Sequence, residues 1–497
     1  MRRRALLKTG LLVGAGLLAR KSALASEREW DFLIVGAGTA GLSAAIFAAK
    51  RGASVLLVDA AEKVGGTLHL ANGQIAAAGT RLQDALGIKD SPDTHYEDVM
   101  ELSRGLADPY VVRLTVDQAP GAINWLLDNG LVPLEGHPTT GEAPGQAGYS
   151  VRRYLWGANE GRDILAVVLR QLQPGLASGR ISVQLESRVT GLLTTDAGAV
   201  TGVRATTPSG PRAFRGRHIL LTTGGYAMNP ALFERLVGTP AYAGGAYPYS
   251  RGDGLELATS VGGWLRGQHL HRSGTGNILS AQSFDAGIIG RFSTTPQNRL
   301  PWEIWVNNHG TRFIREDEPS NYARAQALVQ QPEFRYAIVF DQAIFDRAPI
   351  GIRGMSREEL LARFDNHEMF CKADSLEVLA TKAKVDAKAL ISTVQQYNQG
   401  VRSGRDDLGR AHLPMEIGKP PFYAVIHLGS SATSATGVAV SPGMQVLRGD
   451  GSAVAGLYAA GELLGSGANM GASFSPGMML TPALSIGKYL GETLPLG

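Results

Sequence analysis

Six residues, Gly36-Ala37-Gly38-Thr39-Ala40-Gly41, carry the G-x-G-x-x-G spacing. That spacing serves one chemistry, the holding of a dinucleotide pyrophosphate. Gly36 suits a tight turn, Gly38 a close approach of backbone to phosphate, and Gly41 close packing of the next helix on the strand. Asp59, 23 residues after Gly36, is spaced to accept hydrogen bonds from a ribose diol. Gly65-Gly66-Thr67 then lets the chain run against a cofactor extending beyond its first nucleotide, which two-nucleotide flavins need and simple nicotinamide dehydrogenases do not. Further glycine turns occur at Thr222-Thr223-Gly224-Gly225 and within Gly456–Glu462.

Elements of matching type must position these residues. Asp31 to Val35 is an apolar run of strand length, Leu42 to Lys50 is Ala- and Leu-rich and predicts a helix, and Ser54 to Val58 predicts a second buried strand ending at Asp59. A similar glycine pattern at 14–19 has no acid about 20 residues on and is set aside. Residues 93–130 show helical spacing, with Asp108 as N-cap and Pro109 in the first turn. From Ile181 the short strands read as an antiparallel meander. His218 to Leu221 predicts a buried strand, Asp253 an N-cap, and Ser356–Asn398 a helical stretch. The last helix is expected around Ala483–Gly491.

The chain has 497 residues, enough for two or more domains. Its first residues differ in kind. Arg2-Arg3-Arg4 precedes a short apolar stretch, and Ala23-Leu24-Ala25 offers a cleavage pattern. Arg3-Arg4-x-x-Leu7-Lys8 resembles a twin-arginine export signal over residues 1–25, which implies a periplasmic location. That segment holds six Lys or Arg and no acid, so its removal takes the formal net charge from +4 to −2. The basic balance is thus no reason to invoke nucleic acid, and no membrane span is expected in the mature chain. Cys371 is the single cysteine, which excludes an intramolecular disulfide and a multi-thiolate metal site. No metal site is expected.

The glycine stretches together resemble the FAD-binding framework of the superfamily of fumarate reductase and succinate dehydrogenase flavoproteins, urocanate reductases and ketosteroid dehydrogenases. Val306-Asn307-Asn308-His309-Gly310-Thr311-Arg312-Phe313 is similar to the V-N-x-x-G-x-R-F segment of that family's capping domain. The resemblance covers residues 30–493. It implies an α/β fold: a Rossmann-like FAD-binding domain at 30–265 and 434–497, with an α+β capping domain inserted at 266–433. It also implies non-covalent FAD held by Gly36, Gly38, Thr39, Ala40, Gly41, Asp59, Ala60, Gly65, Gly66, Thr67, Val189, Thr223, Gly224, Gly461 and Glu462. The implied reaction is hydride exchange between flavin and a carbon–carbon bond beside a carbonyl or carboxyl.

Several positions depart from the family pattern. Ser320 stands where fumarate reductases place an arginine acid, four residues after the matched Glu316. Met470 replaces a carboxylate-clamping arginine, and a family histidine is replaced around Thr433. These changes point away from a small dicarboxylate and towards a cyclic or weakly charged substrate, because a Met cannot grip a carboxylate as Arg does. Tyr322 and Arg324 are the candidate proton carriers, and His271 matches an early cap histidine. Met470, Phe474, Met478 and Met479 could form an apolar substrate wall or pack near the flavin; Trp302, Trp305 and His427 read as structural. Two other classes stay open: an NAD(P)-dependent Rossmann dehydrogenase and a non-catalytic flavin electron carrier. With no C-x-x-C-H haem motif, a separate cytochrome, quinone or oxygen is the expected electron partner.

Overall fold

The computed structural model describes residues 28–496 apart from 240, 241, 243, 244 and 431; the expected export signal lies outside the described residues. Strand β1 (Glu29–Val35) is followed by helix α1 (Thr39–Lys50) and strand β2 (Val55–Val58). Phe32 to Val35 are buried, as they must be in a parallel strand covered on both faces. β1 lies between β2 and strand Gly210–Leu221, parallel to both. The eight-stranded sheet runs 445–447, 453–459, 210–221, β1, β2, 181–184.

Residues 188–194, 200–207 and 210–221 form the expected antiparallel meander. Ile181–Gln184 does not belong to it. This segment pairs parallel with β2 and extends the central sheet; its short apolar run fits either role, and only the partner strand decides.

Small residues set the helix packing. α1 lies against helix Leu480–Thr493, and a Cβ at Gly487 or Gly491 would stand 2.4 Å from the Ala40 or Ala44 carbonyl oxygen. Ser43 Oγ donates to the Leu484 carbonyl across the same contact. The expected cap at Asp108 is present: its Oδ1 accepts from Tyr110 and Val111 N–H, opening helix Pro109–Asp128. Asp253 is not an N-cap. Gly252, at φ +84°, takes that place, and Asp253 starts the helix and pairs with Arg188.

A second apolar core surrounds four antiparallel strands in the order Ile304–Asn307, Arg335–Asp341, Phe422–Leu428, Phe370–Ala373. Trp305 is buried in this core and Trp302 packs against it. The Val306–Phe313 segment is built for turning. Asn307 Oδ1 accepts from His309 and Thr311 N–H, and Gly310 adopts φ +73°. Arg312 then pairs with Glu316 and Asp406, while Arg410 also reaches Glu316. Ser356–Asn398 is not one helical stretch: helices Arg357–Asn366, Leu376–Ala383 and Ala387–Ser403 are separated by turns and by strand Phe370–Ala373. Buried Phe370 and Cys371 sit beside strand Phe422–Leu428, so sheet pairing overrides local helical preference. Among the described residues, no helix is long and apolar enough to cross a membrane.

Candidate active site

A cavity of about 270 Å³ opens at the carboxyl ends of the parallel strands, where ligands of open α/β sheets are held. Gly36, Gly38, Thr39 and Ala40 line one side and Asp59 and Ala60 the next. Gly66, Thr67, Val189, Thr223, Gly224, Gly461 and Glu462 complete the expected set along its walls. Gly41 and Gly65 do not line it; they shape what does. A Cβ on Gly41 would stand 2.0 Å from the Gly36 carbonyl oxygen. Gly65, at φ +115°, donates its N–H to the Ala37 carbonyl and ties the second glycine loop to the first.

The residues present fit an FAD. A Cβ on Gly38 would meet nothing within 4 Å, so the first turn of α1 faces open space. No side chain caps that helix, which leaves its N–H groups and positive end for an anion. Among the described residues, Thr39 Oγ1 and Thr223 Oγ1 are buried without a partner, the state of groups that await a polar ligand. Asp59 accepts from Ala37 and Ala61 N–H at 2.6 and 2.7 Å, and burial raises its carboxyl. Burial pushes Glu462 up to about 7, although its Oε1 accepts from Ser434 N–H. Sequence reasoning missed Ser187, Tyr247, Tyr249 and Leu480, which also line the cavity; they come from distant segments and share no motif.

A second cleft of about 410 Å³ has walls from 101–104, 145–147, 272–274, 320–325 and 472–474. Its Ala472–Phe474 wall and the first cavity's Met479–Ala483 wall belong to one chain segment. Of the three catalytic candidates, only Tyr322 lines this cleft. The Arg104 guanidinium lies 4.1 Å from its ring centroid, and no hydrogen bond occupies the phenol among the described residues. Arg324 is buried away from the lining; it donates to the Glu318 carbonyl and, at 3.3 Å, to Thr295 Oγ1. His271 is stacked on Phe334 at 5.2 Å and meets Phe233 edge-on at 4.9 Å. Burial lowers its imidazole to about 4, so it is neutral at ordinary pH. Ser320 lines the cleft and caps helix Asn321–Val329 by accepting from Ala323 N–H.

The expected apolar wall is divided. Met470 and Met478 are buried in a cluster with Val112, Val116 and Tyr154, Phe474 lines the cleft, and Met479 lines the first cavity. His427 is buried and stacked on Tyr336 at 4.9 Å, a structural role. Arg104 and Arg272 line the cleft and went unnoticed in the sequence. Neither belongs to a motif, and only the fold brings them to one space.

The FAD binding domain family matches residues 31–475. The chain is 28% identical over 482 residues to a fumarate reductase (cytochrome) of Shewanella frigidimarina, spanning 95% of this chain and 78% of that one. It is 24% identical to a 3-oxosteroid 1-dehydrogenase of Mycobacterium tuberculosis, over 93% of this chain and 97% of the other. The structure of the open conformation of a flavocytochrome c3 fumarate reductase superposes with a TM-score of 0.67 at 26% identity, covering 94% of this chain and 78% of that one. The matched segment includes both the glycine-turn sheet and the second core, and the chain therefore belongs to the FAD binding domain family, as an FAD-dependent oxidoreductase acting on carbon–carbon bonds.

Proposed function

We propose that the chain exchanges hydride at a carbon–carbon bond beside a carbonyl or carboxyl, with substrate held in the 410 Å³ cleft and Tyr322 carrying the proton. The observation that carries this reading is the cleft itself, which places an unengaged phenol among cationic and apolar walls beside the segment leading to the dinucleotide cavity. Bound FAD supplies the two-electron redox chemistry. The chain's own part is to hold that cofactor through the two glycine loops, Thr39, Thr223, Asp59 and Glu462. Tyr322 lies at the start of helix Asn321–Val329, where the Ser320 cap holds the backbone that carries it. Arg104 over its ring favours one orientation. We assign 30–265 and 434–497 to cofactor binding and 266–433 to a cap that closes the substrate space.

A cyclic, weakly charged substrate was expected because Met470 replaces an arginine. Buried Met470 forms no part of the cleft wall, so that argument loses its footing. An unsaturated carboxylate is favoured instead by the two arginines in the lining. We further propose that FAD is bound non-covalently, since among the described residues the cavity lining contains no histidine or cysteine. Electrons would come from or go to a separate cytochrome, quinone or oxygen, and residues 1–25 would direct export to the periplasm.

Anaerobic stopped-flow tests the reaction. Oxidised holoenzyme is mixed with cyclic ketones and saturated acids, and dithionite-reduced enzyme with their unsaturated counterparts. Rapid bleaching or recovery of the flavin band with one class supports the proposal; a flavin silent to every compound refutes it.

A further inference from the structure

Other buried arginines in this protein have partners for their guanidinium groups: Arg324 and Arg335 donate to carbonyl and side-chain oxygens, and others are ion-paired. Arg153 is held by Asp90 and Asp98, Arg299 by Glu303, and Arg312 by Glu316 and Asp406. Arg272 differs. Its guanidinium sits 5.3 Å from the Phe474 ring centroid, within the cleft lining, and among the described residues it has no hydrogen bond and no ion pair. Burial lowers it to about 10, and it still carries its charge at neutral pH. A desolvated cation without an anion is costly unless a ligand supplies one.

Arg104 lines the same cleft and is also without an ion pair among the described residues. Its backbone lies at φ +57°, a conformation that costs a non-glycine residue energy and persists where neighbours impose it. Among the described residues Glu101 is the one acid in the lining, and it is exposed and salt-bridged to neither arginine. The other walls include Leu102, Ala325 and Phe474, so the space offers positive charge beside apolar surface.

We infer that Arg272 and Arg104 form an anion-recognition pair that selects substrates bearing a carboxylate on an apolar, unsaturated body. This inference rests on the reading of the cleft as the substrate site. The pair takes over the carboxylate grip that Met470 and Ser320 cannot provide, from positions on different chain segments. Arg272 supplies a planar donor fork that matches a carboxylate, with the Phe474 ring, its centroid 5.3 Å away, as an apolar neighbour.

Calorimetric titration of oxidised holoenzyme with cinnamate and methyl cinnamate, and with fumarate and dimethyl fumarate, tests the pair without relying on turnover. A charge-assisted hydrogen bond contributes about 1.5–3 kcal/mol, so an acid should bind roughly 10- to 150-fold tighter than its ester. Arg272→Gln should remove most of that ratio while leaving ester binding unchanged, and Arg272→Lys should restore part of it. Arg104→Gln should lower acid affinity by a smaller factor. Flavin content and melting temperature of each variant report whether it folds. Acid and ester binding alike in the native enzyme would overturn the pair, as would Arg272→Gln weakening both equally or no acid binding at about 10 mM, weaker than the millimolar scale of about −4 kcal/mol. Reoxidation of reduced enzyme separates the two readings. Arg272-dependent acid binding with a flavin that no unsaturated compound reoxidises defeats the reaction and spares the pair, whereas equal reoxidation by neutral and charged members defeats the pair and spares the reaction.

Discussion

Gly38 and Gly41 belong to one motif, yet the structure gives them opposite duties, and a pair of alanine variants separates them. A Cβ on Gly38 meets nothing within 4 Å, and its φ of −85° and ψ of −165° are open to any residue. Gly38→Ala should therefore leave the cofactor-free fold intact, or stabilise it by about 0.4–1 kcal/mol through the unfolded chain. The new methyl would stand in front of the first turn of α1. Losing two charge-assisted bonds from that turn, at about 1.5–3 kcal/mol each, weakens FAD binding by about 3–6 kcal/mol, or roughly 10²- to 10⁴-fold. Gly41→Ala places its Cβ 2.0 Å from the Gly36 carbonyl oxygen and 2.7 Å from Thr222 Oγ1. Backbone cannot yield as a flexible side chain does, so about 3 kcal/mol or more of stability should be lost even without cofactor. The assay is denaturant unfolding of the apoprotein, followed by fluorescence titration with FAD. Native-like FAD affinity in Gly38→Ala, or matching loss of apoprotein stability in both variants, would refute this division of roles.

Tyr322→Phe should slow proton-coupled flavin turnover roughly 10²- to 10⁴-fold while leaving calorimetric acid affinity near native; an unchanged rate removes Tyr322 from the mechanism. Arg324→Ala should lower melting temperature by breaking the bonds to Glu318 and Thr295, with turnover per folded molecule preserved. Glu462, held near 7 by burial, is favoured in its neutral form by the fold. Its contribution is full below the ordinary carboxyl value and is lost as pH rises through about 7, so apoprotein stability should fall across that window, and Glu462→Gln should flatten the fall. Acid precipitation should release all flavin into the supernatant; colour retained in the pellet would establish a covalent bond.

Much of the cofactor side was legible because its signals are local. Strand, glycine turn, helix and acid lie within Asp31–Asp59, and each glycine's role follows from the turn it makes. The same holds for Asp108-Pro109, where cap and first turn are adjacent, and for Val306–Phe313, where Asn307 and Gly310 close a turn within a few residues. Pairing was harder to read. Ile181–Gln184 has the composition of either a meander strand or a parallel one, and β2 as its neighbour settles the matter. Phe370–Ala373 lies between helices yet joins a sheet, because burial beside Phe422–Leu428 outweighs local preference.

The cleft was least legible of all. The family framework and the dinucleotide turn were legible in the sequence alone. Only the tertiary structure decided that Met470 is buried, that Arg324 and His271 lie outside the lining, and that Arg104 and Arg272 meet Tyr322 and Phe474 in one space. A turn is determined by the few residues that make it, whereas a substrate site is assembled from segments hundreds of residues apart. The side chains that face it depend on packing that no local spacing records.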